Sequence, residues 1–265
     1  TDLVEPLSLD EAYLDVSENK LALASATEVA QRIRTQIRER LRLTASAGVA
    51  PNKFLAKIAS DWNKPDGLFV IRPKDVLAFL GPLPVGRLPG VGKVMGERLA
   101  ALGIGTVGDL RAFPSLELET RFGRYGRRLA ELAQGIDEHR VQPDRPTQSV
   151  SAEDTFSDDL PLAALAPHIE RLAAKTWAAS RNTERVPRTV VLKLKTRDFR
   201  ILTRSLTPPQ PPVSASELAA IAVSLCDRVD DGSKTLYRLV GVGLANFHDA
   251  DDPRLQPDLF AGDPP

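Results

Sequence analysis

Two adjacent carboxylates, Asp10 and Glu11, interrupt the run Leu7-Ser8-Leu9-Asp10-Glu11-Ala12-Tyr13-Leu14-Asp15-Val16, which otherwise reads as a strand. Leu7 and Leu9 alternate with Ser8 and Asp10, and Ala12, Leu14 and Val16 continue at a period of two. Neighbours on a regular strand point to opposite faces, so this pair reaches one cation only where the strand begins or bends. The chemistry it offers is hard oxygen: a divalent cation such as Mg²⁺ takes carboxylate ligands and keeps part of its shell for phosphate. The competing reading is an exposed strand end with no ligand, the usual place for unpaired carboxylates.

The remaining candidates are basic or glycine-rich. Lys53, Lys57 and Lys64 lie in and after a stretch that reads as a helix from Pro51 to Ser60, with Lys53 and Lys57 on one face. Leu88-Pro89-Gly90-Val91-Gly92-Lys93 leads into Val94–Leu102 and then Gly103-Ile104-Gly105, the pattern of a helix-hairpin-helix. Gly90 and Gly92 permit a tight turn and a close approach to phosphate, and the helix opened by Lys93 turns its unpaired amides toward an anion. Between Arg185 and Arg204 seven basic residues face only Asp198. Lys193 and Lys195 share one strand face, with Arg197, Arg200 and Arg204 near the turn and on the next strand. A solvated sheet face competes with a polyanion-binding one. The second is favoured, because a helix-backed sheet need not be so one-sidedly basic.

The elements that must carry these residues alternate. Helix Thr27–Leu41, strand Leu43–Val49, helix Pro51–Ser60 and strand Gly67–Ile71 follow the opening strand and form half of an α+β or α/β domain. Short helices are expected at Val76–Leu80, Lys93–Leu102, Val107–Phe113 and Arg124–Gln134. Asp137–Thr147, polar and proline-bearing, reads as a linker. Beyond it come strand Gln148–Phe156, helix Leu162–Asn182, strands Thr189–Thr196 and Phe199–Leu206, helix Ser214–Val229 and strand Leu236–Phe247. Ser214 and Glu217 have capping-box spacing. This is the split βαβ order, four strands with two helices on one face.

Composition excludes little. The 265 residues are 42% hydrophobic and 26% charged, with 35 Lys plus Arg against 35 Asp plus Glu, so net charge names no partner. No apolar run has the roughly 20 residues of a membrane span, and no signal peptide is visible. The single cysteine, Cys226, sits in an apolar stretch and reads as a small buried hydrophobe in a cytoplasmic protein. His139, His168 and His248 are scattered and receive no role. Trp62 and Trp177 read as packing residues.

Ser8-Leu9-Asp10-Glu11-Ala12-Tyr13-Leu14-Asp15 resembles the second catalytic motif of the Y-family, the translesion DNA polymerases. Ser46 to Gly67, SAGVAPNKFLAKIASDWNKPDG, resembles the same family's next motif at the expected distance. Together they point to the DinB branch, and the resemblance runs on through Phe122-Gly123-Arg124-Tyr125-Gly126-Arg127 to the last residues. It implies an α+β multidomain fold: a partial palm with a mixed α/β sheet over 1–71, an all-helical helix-hairpin-helix thumb over 72–136 and a linker over 137–147. A four-stranded βαββαβ little finger over 148–247 and an acidic tail over 248–265 complete it.

The activity implied is nucleotidyl transfer from a dNTP to a primer 3′-hydroxyl, with two Mg²⁺ ions on Asp10 and Glu11 and Asp10 bridging both. Lys64 corresponds to a lysine that contacts the triphosphate. Gly90, Gly92, Lys93, Lys193, Lys195, Arg197, Arg200 and Arg204 fall to DNA. Gln256-Pro257-Asp258-Leu259-Phe260 resembles the bacterial sliding-clamp motif, with Gln256, Leu259 and Phe260 as anchors. The partners implied are primer-template DNA, a dNTP and the sliding clamp; no membrane is involved, and the protein is expected to be a monomer.

The chain departs from the family pattern at Asp66, often Asn, at Gly96, often Ala, and at Pro257, usually Leu. Trp62 also stands where many relatives have a smaller side chain. The family's first motif, its fingers domain and the residue excluding ribonucleotides have no counterpart here, so this chain is expected not to polymerise by itself. Two other readings stand beside this one. One is a non-catalytic, clamp-tethered relative that binds DNA; the other is a helix-hairpin-helix repair factor such as a nuclease subunit.

Overall fold

The computed structural model describes residues 1–230, 235–249 and 251, in two units, Thr1–Arg145 and Pro146–Pro265. The clamp-motif residues Gln256, Leu259 and Phe260 lie outside the described residues.

In the first unit the opening stretch is a hairpin, where the sequence leads one to expect a single strand. β1 (Val4–Pro6) pairs antiparallel with β2 (Ala12–Leu14), in register Val4 to Leu14 and Pro6 to Ala12. The turn is closed by the Leu7 amide donating to the Glu11 carbonyl at 2.8 Å. Pro6 brings no amide donor to extend the ladder. Leu9, part of the alternating pattern, is wholly exposed at the tip.

Helix α1 (Ala26–Leu41) starts on Ser25, whose hydroxyl accepts from the Glu28 amide, and stops where Arg42 turns left-handed. Strands β3 (Ala47–Val49) and β4 (Leu68–Val70) run parallel, Ala47 beside Leu68, and are joined through helix α2 (Lys53–Trp62). Phe54, Leu55, Ile58 and Ala59 of α2 enter a core that continues into the helical part of the unit.

That part comprises α3 (Val76–Leu80), α4 (Lys93–Ala100), α5 (Val107–Ala112), α6 (Ser115–Phe122) and α7 (Arg124–Ala133). Helix α6 is absent from the sequence expectation. Only Leu118 of its residues is fully buried and Leu116 is exposed, so its apolar period is weak. Pro114 at its N-terminal cap was the available signal. It packs so closely on α7 that a Cβ on Gly126 would lie 1.9 Å from the Leu118 carbonyl oxygen, which demands glycine there.

The stretch after α7 is tied down as far as Arg145. Asp137 accepts from the Phe54 amide at the start of α2 and pairs with Arg128 at 2.6 Å. Glu5, fully buried in β1, accepts from the Gln142 amide at 2.8 Å and from Arg145 and Lys53.

The second unit is one antiparallel sheet in the order β5-β8-β6-β7, formed by β5 (Ser149–Pro161), β6 (Val186–Thr196), β7 (Ile201–Leu206) and β8 (Leu236–His248). Helices α8 (Ala166–Ser180) and α9 (Ala215–Ser224) accompany it. The first strand runs past Phe156 to Pro161, and α9 gives way at Leu225 to a 3-10 turn instead of continuing to Val229. Val190, Leu192, Leu194, Val240, Val242 and Leu244 fill the core on the helix side. Their neighbours in sequence form the open face, including Lys193 and Lys195 opposite Gly241 and Leu239.

Candidate active site and nucleic-acid interface

Asp10 and Glu11 lie where the chain bends to close the β1–β2 hairpin, outside both strands. Ser8 Oγ donates to Asp10 Oδ1 at 2.7 Å and holds the tight turn. Asp10 is exposed and Glu11 half-exposed, and Lys57 Nζ from α2 lies 2.5 Å from Glu11 Oε1. Among the described residues no three His, Cys, Asp or Glu side chains converge as a metal cage. The donor set nonetheless fits Mg²⁺, which is held by one or two carboxylates together with substrate phosphate.

Lys64 sits just past α2. Its ammonium pairs with Asp61 at 2.6 Å, which raises its pKa, and the charges of Glu11 and Asp10 add to the effect. Both candidate metal ligands are thus within its electrostatic reach. Asp66 adopts a left-handed backbone, φ 51°, a conformation that Asn and Asp tolerate better than most residues. Its carboxylate takes hydrogen bonds from Arg34, at 2.9 Å, and from Arg38 on α1, and the Arg34 bond leads in lowering its pKa. Asp in place of the family's Asn therefore keeps the turn and gains two charged partners. Trp62 packs on Phe69 and Phe79, with ring centroids 5.6 and 4.9 Å away, as a packing residue would, while 44% of it stays exposed.

One cluster here had no sequence signal. Lys53 Nζ lies 2.6 Å from buried Glu5 and 5.1 Å above the Tyr13 ring, and burial lowers its pKa. Lys53 is thus occupied inside the unit, while Lys57 pairs with Glu11 and Lys64 with Asp61. A cleft of about 400 Å³ opens at the other end of β2, lined by Tyr13, Asp15, Ala24, Asn52 and Lys53; it includes neither Asp10 nor Glu11.

The helix-hairpin-helix geometry is local and complete. Gly90 has φ 85° and abuts Tyr125, whose hydroxyl donates to the Pro89 carbonyl at 3.0 Å. Gly92 caps α4 in extended conformation, with open space where a Cβ would stand and no side-chain cap. The first amides of α4, beginning at exposed Lys93, are left for an outside acceptor. By contrast α5 caps itself: Thr106 and Asp109 form a capping box.

On the open face of the second unit Lys193 pairs with Glu153 at 2.7 Å, and Lys195 lies 4.8 Å over the Phe199 ring. Arg197 stands 3.6 Å from Asp159, and Arg200 is exposed in the β6–β7 turn. Arg204 is separated from them. It is directly opposite core residue Leu192, on the helix side, and its Nε donates to the Arg228 carbonyl at 2.7 Å. Alternation along β7 carried the signal, since Arg204 is in phase with Leu202 and Leu206. Arg238, 4.1 Å over the same Phe199 ring, was missed because it stands alone in an apolar strand.

Three family models match: the impB/mucB/samB family over residues 1–61, the impB/mucB/samB family C-terminal domain over 147–259, and the DNA polymerase-iota thumb domain over 86–137. A DNA polymerase IV of Xanthomonas euvesicatoria pv. vesicatoria (strain 85-10) is 65% identical over 265 residues, all of this chain and 74% of that protein. The chain belongs to the Y-family DNA polymerases, on the DNA polymerase IV (DinB) branch. This Y-family member is a DNA-directed DNA polymerase of the translesion class. Its fold is similar to the Y-family polymerase chimera Dbh-Dpo4(243-245)-Dbh, at TM-score 0.81 and 29% identity over 93% of this chain and 71% of that one. It is also similar, at TM-score 0.58 and 28% identity over 93% and 71%, to a structure described as an insertion ternary complex of Dbh DNA polymerase. The polymerase has no described helix long and apolar enough to cross a membrane.

Proposed function

We propose that Asp10 and Glu11 are the metal ligands of this polymerase and that Lys64 receives the triphosphate of the incoming dNTP. The observation that carries this reading is the hairpin bend, which places Asp10 and Glu11 outside the regular strands, with Glu11 paired to Lys57 and the Lys64 charge felt by both. Mg²⁺ bound there would supply Lewis-acid neutralisation of the phosphate oxygens as charge develops. The protein's own groups orient and balance charge. Ser8 holds the Asp10 carboxylate, Lys57 counters Glu11, and Lys64, paired with Asp61 and half exposed, offers its cation to the phosphates. No side chain acts as a nucleophile, because the primer hydroxyl fills that role.

In this reading residues 1–71 are palm, 72–136 thumb, 137–147 linker, 148–247 little finger and 248–265 a tail that engages the sliding clamp. Primer-template DNA is held by the α4 amides behind Gly90 and Gly92, by Lys93, and by Lys193, Lys195, Arg197 and Arg200. Arg204 contributes to the sheet's stability instead. The protein works as a cytoplasmic monomer.

The test is Mn²⁺ binding followed by electron paramagnetic resonance, with duplex affinity measured alongside. Asp10→Asn and Glu11→Gln should each weaken Mn²⁺ binding while leaving duplex affinity intact. Unchanged Mn²⁺ binding in both variants would remove the carboxylates from the metal site.

A further inference from the structure

The β6–β7 turn breaks a backbone rule. The Phe199 amide donates to the Thr196 carbonyl and the Thr196 amide to the Arg200 carbonyl, both at 2.9 Å, so Arg197-Asp198-Phe199 is a three-residue hairpin loop. The last position of such a loop is left-handed and normally taken by glycine. Here it is a phenylalanine at φ 67°, 59% exposed. A bulky side chain in that conformation is strained, and strain that persists on a surface points to a use.

Its ring lies within 4.8 Å of Lys195 Nζ and 4.1 Å of the Arg238 guanidinium. Arg238 reaches it through a bulge: Lys195 pairs with Leu239 and Thr196 with Tyr237, so Arg238 is the extra residue and is re-aimed. Two like charges repel unless something attracts both. A carboxylate would do so by cancelling them, as Glu153 does for Lys193 and Asp159 for Arg197. An aromatic face attracts cations without neutralising them. Among the described residues no carboxylate stands within 4.0 Å of the Lys195 or Arg238 charge.

We propose that Phe199 is a positioning residue for DNA: its ring holds Lys195 and Arg238 together, un-neutralised, as a clamp for backbone phosphate at one end of the open sheet face. This rests on the reading that the sheet face binds DNA. Arg238 joins that face as a phosphate contact, and Phe199 acts through the two cations.

The experiment is fluorescence-anisotropy binding of the full chain to a primer-template duplex across a salt series, with melting temperatures for every variant. Arg238→Ala and Lys195→Ala should each weaken binding and lower the salt slope by about one. Phe199→Gly should weaken binding roughly three-fold with the slope kept and the melting temperature equal to or above wild type, because glycine relieves the turn. Phe199→Leu, which keeps bulk and strain but has no aromatic face, should bind like the glycine variant, and Phe199→Tyr like wild type. In a Lys195→Ala, Arg238→Ala background Phe199→Gly should have no further effect.

Wild-type affinity in Phe199→Gly or Phe199→Leu overturns the proposal, as does an undiminished Phe199 effect in the double background, which would mean that the ring itself touches DNA. Loss of slope in Lys193→Ala but not in Lys195→Ala or Arg238→Ala overturns the clamp alone. No slope change in any of the three overturns the sheet-face reading beneath it.

Discussion

Lys57 Nζ stands 2.5 Å from Glu11 Oε1, so one of the two candidate metal ligands is already paired with a cation from α2. Ion and ammonium compete for the same oxygens. Both side chains are more than a third exposed, so solvent screens the competition to about 1 kcal/mol. Lys57→Ala should therefore tighten Mn²⁺ binding about five-fold in the absence of nucleotide. Weaker binding in that variant would mean that Lys57 supports the site instead of competing for it.

The Glu5 cluster predicts a stability effect away from the chemistry. Its carboxylate is 1% exposed and is satisfied by Lys53, the Gln142 amide and Arg145. Removing one member of a buried ion pair leaves the other charged and unpaired, at a cost of about 3–5 kcal/mol. Glu5→Ala should lose that much in urea unfolding of the first unit. Arg145→Ala, whose side chain is half exposed, should lose less than about 1 kcal/mol. Equal effects from the two would show that the linker contact, and not the Lys53 pair, carries the cluster.

Asp66 gives a pH-dependent prediction. Its pKa is lowered in the fold, first by the Arg34 hydrogen bond, which outweighs the opposing effect of burial, and then by the charges of Arg38 and Arg34. A depressed carboxylate stabilises above its unfolded pKa of about 3.9, and that stability is lost as pH falls through the lower folded value. Asp66→Asn keeps a residue that accepts φ 51° but removes the charge. Melting temperatures of variant and parent should differ at neutral pH and converge as acid takes the solution below about pH 3.9. A gap that stays constant down to pH 2 would exclude the ion pairs as its source.

How much of this was readable follows from the range of each interaction. Helices α3, α4, α5 and α7 lie within two residues of expectation because caps and apolar spacing are local signals. The Asp10–Glu11 bend was readable as a condition, since a strand cannot aim neighbours together. The hairpin itself was not, because Leu9 continued the alternation while pointing to solvent. Glu5 meets Lys53 across 48 residues and Arg145 across 140, a separation that no short window reports. Arg204 was grouped with the open-face cations by proximity in sequence, and strand phase assigns it to the other side. Phe199 looked like an ordinary strand residue until its backbone sign was known.

The two glycines of the helix-hairpin-helix turn before α4 should separate folding from binding. Gly90 needs its identity twice over: φ is 85°, and an added Cβ would stand 2.4 Å from the Tyr125 hydroxyl. Gly90→Ala should cost about 1–3 kcal/mol of stability, and pairing it with Tyr125→Phe should restore part of the loss by clearing the oxygen. Gly92 is different. Its backbone suits any residue and nothing lies within 4 Å of the missing Cβ, so Gly92→Ala should cost only the weaker N-cap preference of alanine, about 1 kcal/mol. Yet that methyl would project where phosphate must approach the free amides of α4. Duplex affinity should fall about ten-fold in Gly92→Ala, equally for unrelated DNA sequences, because the contact is to backbone alone. Gly92→Ala with wild-type affinity and Gly90→Ala with weakened affinity would trace the binding defect to unfolding of the turn, and would remove the α4 terminus from the DNA interface.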